Sequence, residues 1–162
     1  MSWSLPWRKR ESASSSQLPK ESYIALQFES EGLPDLWVVN RALLEFDGRA
    51  TFPWHLSILI DMQDVIEVGL PTRAEQEVLG NLGEELGANL KANGNALFLA
   101  SGTCKGVRHL LYRVGDPEVA NAYLKEVVAN PAPVRQMDYR MMQVVAWVYA
   151  ENYLEPARRA GE

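Results

Sequence analysis

Six short segments of the chain have the alternation of hydrophobic and polar positions, or the apolar composition, that is typical of β-strands. In the first of them, Ile24, Leu26 and Phe28 are the apolar positions, and smaller or polar residues stand between them. A turn is predicted at residues 32–35, where Gly, Pro and Asp stand together. The segments predict strands at residues 23–29, 36–46, 55–60, 96–100, 107–114 and 134–143.

A longer segment has apolar residues at the three- and four-residue spacing of an amphipathic helix. It begins with the capping-box residues Thr72 and Glu75, and Asn93-Gly94 is expected to end it. Three glycines lie on one face of this helix, and each is unfavourable by roughly 1 kcal/mol relative to alanine. We therefore expect the helix to approach the sheet or another chain closely at that face. The glycines are Gly80, Gly83 and Gly87.

A second helix is predicted from Asp116, which is placed to be its N-cap, with Pro117 at the first helical position. Residues 144–154 fit either a strand or a terminal helix. From Trp54 onward the order is strand, helix, strand, strand, helix, strand. This order predicts an α+β fold of the ferredoxin-like split βαβ type (βαββαβ), preceded by an N-terminal β-hairpin. Its mainly antiparallel sheet would carry two helices on one face.

The chain of 162 residues is long enough for one domain with its own core. We expect that domain at residues 21–156, between a disordered, basic and serine-rich tail at 1–20 and a loose C-terminus at 157–162. No hydrophobic run approaches the roughly 18 residues that a membrane span needs, and the N-terminus does not have the pattern of a secretory signal. A cytoplasmic location is therefore expected, and a single cysteine is consistent with it.

The net charge of −5 is unevenly distributed, because residues 21–92 hold thirteen acids against four bases. An acidic surface repels nucleic acid and attracts basic proteins, although acids on a surface also serve solubility alone. We expect five acids to lie on one edge of the domain and to bind a basic protein partner, with Trp54 or Trp37 as an aromatic anchor. The five are Asp61, Asp64, Glu67, Glu84 and Glu85.

The stretch SGTCKGVRHLLYR, residues 101–113, contains the only cysteine, Cys104, and one of the two histidines, His109. Gly102 and Gly106 flank the cysteine with the spacing of a nucleophile elbow, which needs a strand, a turn and then a helix. A strand is predicted after this turn, so no helix N-terminus would activate the thiol. We therefore assign no catalytic residue, and a small hydrolase using Cys104 and His109 stays an alternative.

Metal and cofactor sites are not predicted either. His55, His109 and Cys104 lie far apart in the sequence, and the chain has no C-x-x-C or H-x-x-x-H pair. The G-x-x-x-x-G-K-[ST] phosphate loop is absent from the sequence as well. No metal and no cofactor is therefore expected.

Three motifs resemble those of the bacterial domain-of-unknown-function family 695, over most of residues 22–156. They are Gly69-Leu70-Pro71 followed by a helix with Glu75, the hairpin Ser101-Gly102-Thr103 … Gly106-Val107-Arg108 … Tyr112, and the ending Trp147 … Tyr153-Leu154-Glu155-Pro156. The resemblance implies a non-catalytic protein and supplies no catalytic residues. Some members are fused to a ferredoxin-like domain similar to the ribonuclease E regulator B, and similar small acidic proteins stand beside secreted bacterial toxins as immunity proteins.

The sequence thus favours a non-enzymatic inhibitor that binds a protein. In its most specific form, this is a bacterial immunity protein that neutralises a secreted toxic effector, such as a nuclease, through its acidic surface. A regulator of an RNA-processing enzyme is the alternative, ahead of the hydrolase. No nucleic acid or membrane is expected as a partner, whereas an antiparallel sheet with one open face would favour a homodimer.

Overall fold

Six strands form one sheet in the computed structural model, which describes residues 18–161. The strands are β1 (Tyr23–Ser30), β2 (Leu33–Asn40), β3 (Trp54–Asp61), β4 (Ala96–Cys104), β5 (Val107–Val114) and β6 (Met137–Gln143). Their order across the sheet is β1-β2-β4-β5-β3-β6, and each neighbouring pair is antiparallel. The predicted α+β class and the antiparallel sheet are therefore confirmed.

Three helices pack on this sheet, so the expected number of two is wrong. They are α1 (Arg73–Leu90), α2 (Pro117–Val128) and α3 (Val148–Ala160). The two predicted N-caps are present, because the Thr72 side chain accepts from the backbone N–H of Glu75 and the Asp116 side chain accepts from that of Glu118. Of the two alternatives for residues 144–154, the structure shows the helix.

The helices cover both faces of the sheet. Helices α1 and α2 lie in one hydrophobic cluster, together with Leu56, Ile58 and Ile60 of β3. Helix α3 lies in a second cluster with Trp37 and Val39 of β2. Strand β4 contributes alternate side chains to the two clusters, which explains its nearly continuous apolar sequence. Helix α3 packs on part of the second sheet face, beside β1 and β2, and the homodimer stays a prediction.

A buried arginine holds the start of helix α3 against the sheet. Arg113 is fully buried, and its guanidinium donates from Nε to the Phe52 carbonyl at 3.2 Å and from Nη2 to the Val144 carbonyl at 2.6 Å. Its Cζ lies 4.8 Å from the ring centroid of Trp147, whose indole N–H donates to the same Phe52 carbonyl. Burial lowers the pKa of Arg113 to about 10, so the side chain stays charged at neutral pH.

Several boundaries differ from the prediction. The turn between β1 and β2 lies at Glu31-Gly32, where both residues have positive φ, so Leu33 already belongs to β2. That strand ends at Asn40 and not at residue 46, because the Asn40 side chain accepts from the N–H of Ala42 and begins a 3-10 turn. The C-terminus is helical to Ala160 instead of loose, and Ala157 is buried. The proposed basic tail lies outside the described residues, apart from residues 18–20.

Within residues 18–161, no helix has both the length and the apolar character that crossing a membrane requires.

Candidate functional site

The loop between β3 and α1, residues 62–72, is called the β3–α1 loop below, and its own hydrogen bonds hold it in one shape. The backbone N–H of Ile66 donates to the Leu70 carbonyl at 2.9 Å. The backbone N–H of Thr72 donates to the Asp64 carbonyl at 3.0 Å, and the Thr72 hydroxyl donates to the Asp64 carboxylate at 2.7 Å. These bonds join the two arms of the loop directly before the helix begins.

A buried ion pair and a backbone bond attach the β3–α1 loop to the rest of the domain. Glu75 is only 1% exposed, and its carboxylate accepts from Arg135 Nε at 2.9 Å and from Arg135 Nη2 at 2.5 Å. The same carboxylate accepts from the backbone N–H of Gln63 at 2.9 Å. The Arg135 bonds, and then the loop backbone, hold the pKa of Glu75 at about 2 in spite of burial. Met62 N–H also donates to the Gly106 carbonyl at 3.0 Å.

The outer surface of the β3–α1 loop combines apolar and acidic side chains. Val65 is 41% exposed, Ile66 is 50% exposed and Val68 is 38% exposed, which is unusual for three large aliphatic residues so close together. Apolar side chains rimmed by charge are the composition of a protein-binding surface. The exposed acids of this loop, and of the strand end that precedes it, are Asp61, Asp64 and Glu67.

The other predicted binding residues lie elsewhere. Trp54 opens strand β3, about 23 Å from Asp61 at about 3.3 Å per residue, and it packs against the core. Glu84 and Glu85 are exposed on helix α1 but line different cavities, beside β2 and beside α2 respectively. Trp37 is 7% exposed and packs on Tyr153, so it is not an accessible anchor. The five acids that we expected along one edge of the domain therefore do not form one surface.

Sequence reasoning missed the apolar half of this site. Val65, Ile66 and Val68 stand among or directly after Asp61, Asp64 and Glu67, and only those acids were selected from the sequence. The available signal was the run V-I-E-V-G-L, in which hydrophobic residues stand outside any helix or strand pattern. Arg135 was also missed, because its partner Glu75 is 60 residues away in the chain.

Cys104 and His109 do not form an activated pair. The turn between β4 and β5 is Lys105-Gly106, and both residues have positive φ, as in a type I′ hairpin. Burial, and next the neighbouring Asp35, raise the pKa of the Cys104 thiol, while burial lowers the pKa of His109. A reactive cysteine needs thiolate, so these shifts disfavour the hydrolase alternative.

The described residues offer no metal-binding cluster. Within residues 18–161, no three His, Cys, Asp or Glu side chains are grouped so that they could hold an ion. His55 packs beside Tyr149 with ring centroids 5.6 Å apart, on a different strand from His109. Burial, and then the charge of Arg113, lower the pKa of His55 to about 4, so its imidazole is neutral at pH 7.

An antiparallel sheet covered by helices on both faces, with a fixed acidic and apolar loop at one end, defines a small α+β domain. The chain belongs to a family of unknown function (DUF695), whose family model matches residues 26–154. The resemblance drawn from the three motifs is thereby confirmed. No curated protein and no solved structure matches the chain. A link to toxin immunity stays a prediction.

Proposed function

We propose that this protein is a non-enzymatic inhibitor that binds a basic protein through the β3–α1 loop. The observation that carries the proposal is the exposure of Val65, Ile66 and Val68 among exposed acids on a loop fixed by Glu75 and Arg135. Binding such a loop requires little ordering, because its backbone is already held, and a preorganised surface loses less entropy on association. The apolar side chains would supply affinity, and the acids would supply orientation and association rate.

The partner that fits best is a secreted bacterial toxin, which would make this chain an immunity protein. Enzymes that act on nucleic acid have basic active sites, so a toxic nuclease would be attracted by a protein of net charge −5. The family assignment is compatible with this role, and a regulator of an RNA-processing enzyme would use the same surface. The cytoplasm is the location in which either partner would be met.

We also propose that part of the sheet has the ferredoxin-like topology. Strands β3 to β6 with helices α1 and α2 follow the order strand, helix, strand, strand, helix, strand, and they lie in the sheet as β4-β5-β3-β6. This order supports a ferredoxin-like unit to which the β1–β2 hairpin and helix α3 have been added. The β3–α1 loop is the first connection of that unit.

The test is affinity capture from the source cells with the full chain and two matched variants. Ile66→Glu places a charge in the apolar part of the loop, and Val119→Glu does the same at an exposed valine on helix α2. We expect the wild type and Val119→Glu to retain the same basic protein, which Ile66→Glu loses. Equal capture by both variants would contradict the assignment of the loop as the binding surface.

A further inference from the structure

A groove runs along helix α1 on the side that faces strands β1, β2 and β4. It consists of two adjoining cavities of about 690 Å³ and about 470 Å³, which share Val38, Gln76, Ser101 and Arg108. The larger cavity lies at the beginning of the helix, and the smaller one follows its length. Both volumes lie within the range of small-molecule sites, which is roughly 300–1,000 Å³.

Arg108 lies where the two cavities meet, and its charge is not neutralised. The side chain is 9% exposed, and its guanidinium donates from Nε to the Thr103 hydroxyl at 3.1 Å and from Nη2 to the Gln76 side-chain carbonyl at 2.5 Å. Both acceptors are neutral, and no carboxylate within residues 18–161 forms a salt bridge with Arg108. Buried charges are ordinarily paired, because removing an ion from water without a counter-charge is unfavourable.

The larger cavity has the remaining features of an anion site. Of the described residues that line it, none is Asp or Glu, whereas Arg73 adds a second positive charge at the start of helix α1. Four further polar residues line the same space. Leu36 and Val38 of β2, which are 42% and 40% exposed, give the cavity an apolar wall. The four polar residues are Gln27, Thr72, Ser101 and Thr103.

Two of the helix glycines keep the smaller cavity open. A Cβ atom built on Gly80 or Gly83 meets nothing within 4 Å, whereas one on Gly87 would lie 3.0 Å from the Tyr112 hydroxyl. The expected close approach therefore holds at Gly87 alone. At the other two positions, the missing side chains leave space beside the apolar wall that Leu79 and Phe98 help to form.

We propose that this groove binds a small organic carboxylate with an apolar chain. The carboxylate would accept from the guanidinium of Arg108, and the apolar chain would lie along Gly80 and Gly83. A carboxylate carries the single negative charge that one buried guanidinium requires, and its two oxygens match the spacing of guanidinium N–H groups. This inference does not depend on the proposed protein partner, because it concerns a different ligand and its own contacts.

The first experiment is calorimetric titration of the full chain with four probes: octanoate, octan-1-ol, acetate and octyl phosphate. We expect octanoate to bind at least about tenfold more tightly than octan-1-ol, which lacks the charge that Arg108 recognises. Acetate, which lacks the apolar chain, should bind at least about tenfold more weakly than octanoate as well. Octyl phosphate binding more tightly than octanoate would overturn the choice of carboxylate.

Two variants test the two halves of the site. Arg108→Met keeps an unbranched apolar side chain and removes the guanidinium charge, so octanoate and octan-1-ol should bind it about equally. Gly83→Leu places a side chain in the open space beside helix α1 and leaves the Arg108 guanidinium in the chain. Because a helix favours leucine over glycine, this variant should fold, and it should bind octanoate at least about tenfold more weakly. Unfolding curves show that each variant is native. No octanoate binding by the wild type, or unchanged binding by native Arg108→Met, would overturn the proposal.

Discussion

At the scale of single residues, the surroundings of Cys104 in the sheet determine the protonation state of its thiol. It is the cross-strand partner of Val107 at the end of the β4–β5 hairpin, beside the carboxylate of Asp35. Partial burial, and then the negative charge of Asp35, favour the protonated thiol and raise the pKa of Cys104. The hairpin turn was predictable from the sequence, but the effect of Asp35 was not, because it comes from another strand.

We expect alkylation of Cys104 by iodoacetamide at pH 7.5 to be slower than that of a cysteine in an unstructured peptide, because little thiolate is present. Cys104→Ser should leave partner binding unchanged. The rate is measured by mass spectrometry of the intact chain, with the urea-unfolded chain as the internal control. A native rate that exceeds the unfolded rate would support an activated thiol and revive the hydrolase alternative.

Gly102 is a second residue whose role depends on packing. A Cβ atom at this position would lie 2.1 Å from Cδ2 of Trp37, so the indole rests directly on the glycine backbone. The two residues are cross-strand partners in the β2–β4 pairing. The sequence indicated Gly102 only as a flank of Cys104 with the spacing of a nucleophile elbow, whereas the structure uses its lack of a side chain.

At the scale of elements, the contact that matters most to the β3–α1 loop is the ion pair of Glu75 and Arg135. It connects the first turn of helix α1 to the segment before strand β6, and through Gln63 it holds the loop. The capping-box pattern predicted where Glu75 lies in the helix. The pattern did not predict that its carboxylate turns away from the helix N-terminus toward an arginine on another segment.

Arg135→Met should lower the free energy of unfolding by about 3–5 kcal/mol, because it leaves Glu75 buried and unpaired. The double variant Glu75→Met with Arg135→Met should recover most of that loss. Both are measured by urea unfolding at pH 7. A small effect of the single variant would show that the ion pair does not hold the loop.

The same pair predicts a pH dependence. The pKa of Glu75 is about 2 in the folded chain against an ordinary value of 4.5, so its contribution is complete above pH 4.5 and is lost as the pH falls toward 2. The wild type should therefore lose more stability across this window than the double variant does. Urea unfolding of both proteins at pH 5, 4 and 3 measures how the free energy of unfolding changes with pH. The same change in the wild type and the double variant would contradict the prediction.

At the scale of the whole molecule, the alternation of short segments was enough to predict six strands and the antiparallel α+β class. The sequence did not decide between a strand and a helix for residues 144–154. The position of helix α3 depends on Trp147 and Arg113, whose contacts cross the sheet. The acids of the site were predictable, since charged residues in a connection are exposed. The exposure of Val65, Ile66 and Val68 was not, because apolar side chains ordinarily face a core.

The central claim is that the β3–α1 loop attracts and binds a basic partner. The most direct measurement is the association rate of the captured partner over a range of salt concentrations. The test variant carries Asp61→Lys and Glu67→Lys, and Asp64 is left intact because it accepts from Thr72. A control with Glu45→Lys and Glu126→Lys changes the net charge equally at exposed positions outside the loop.

We predict an association rate about tenfold lower at low salt, with a weaker salt dependence, for the test variant alone. Equal rates for the test variant, the control and the wild type would contradict the account.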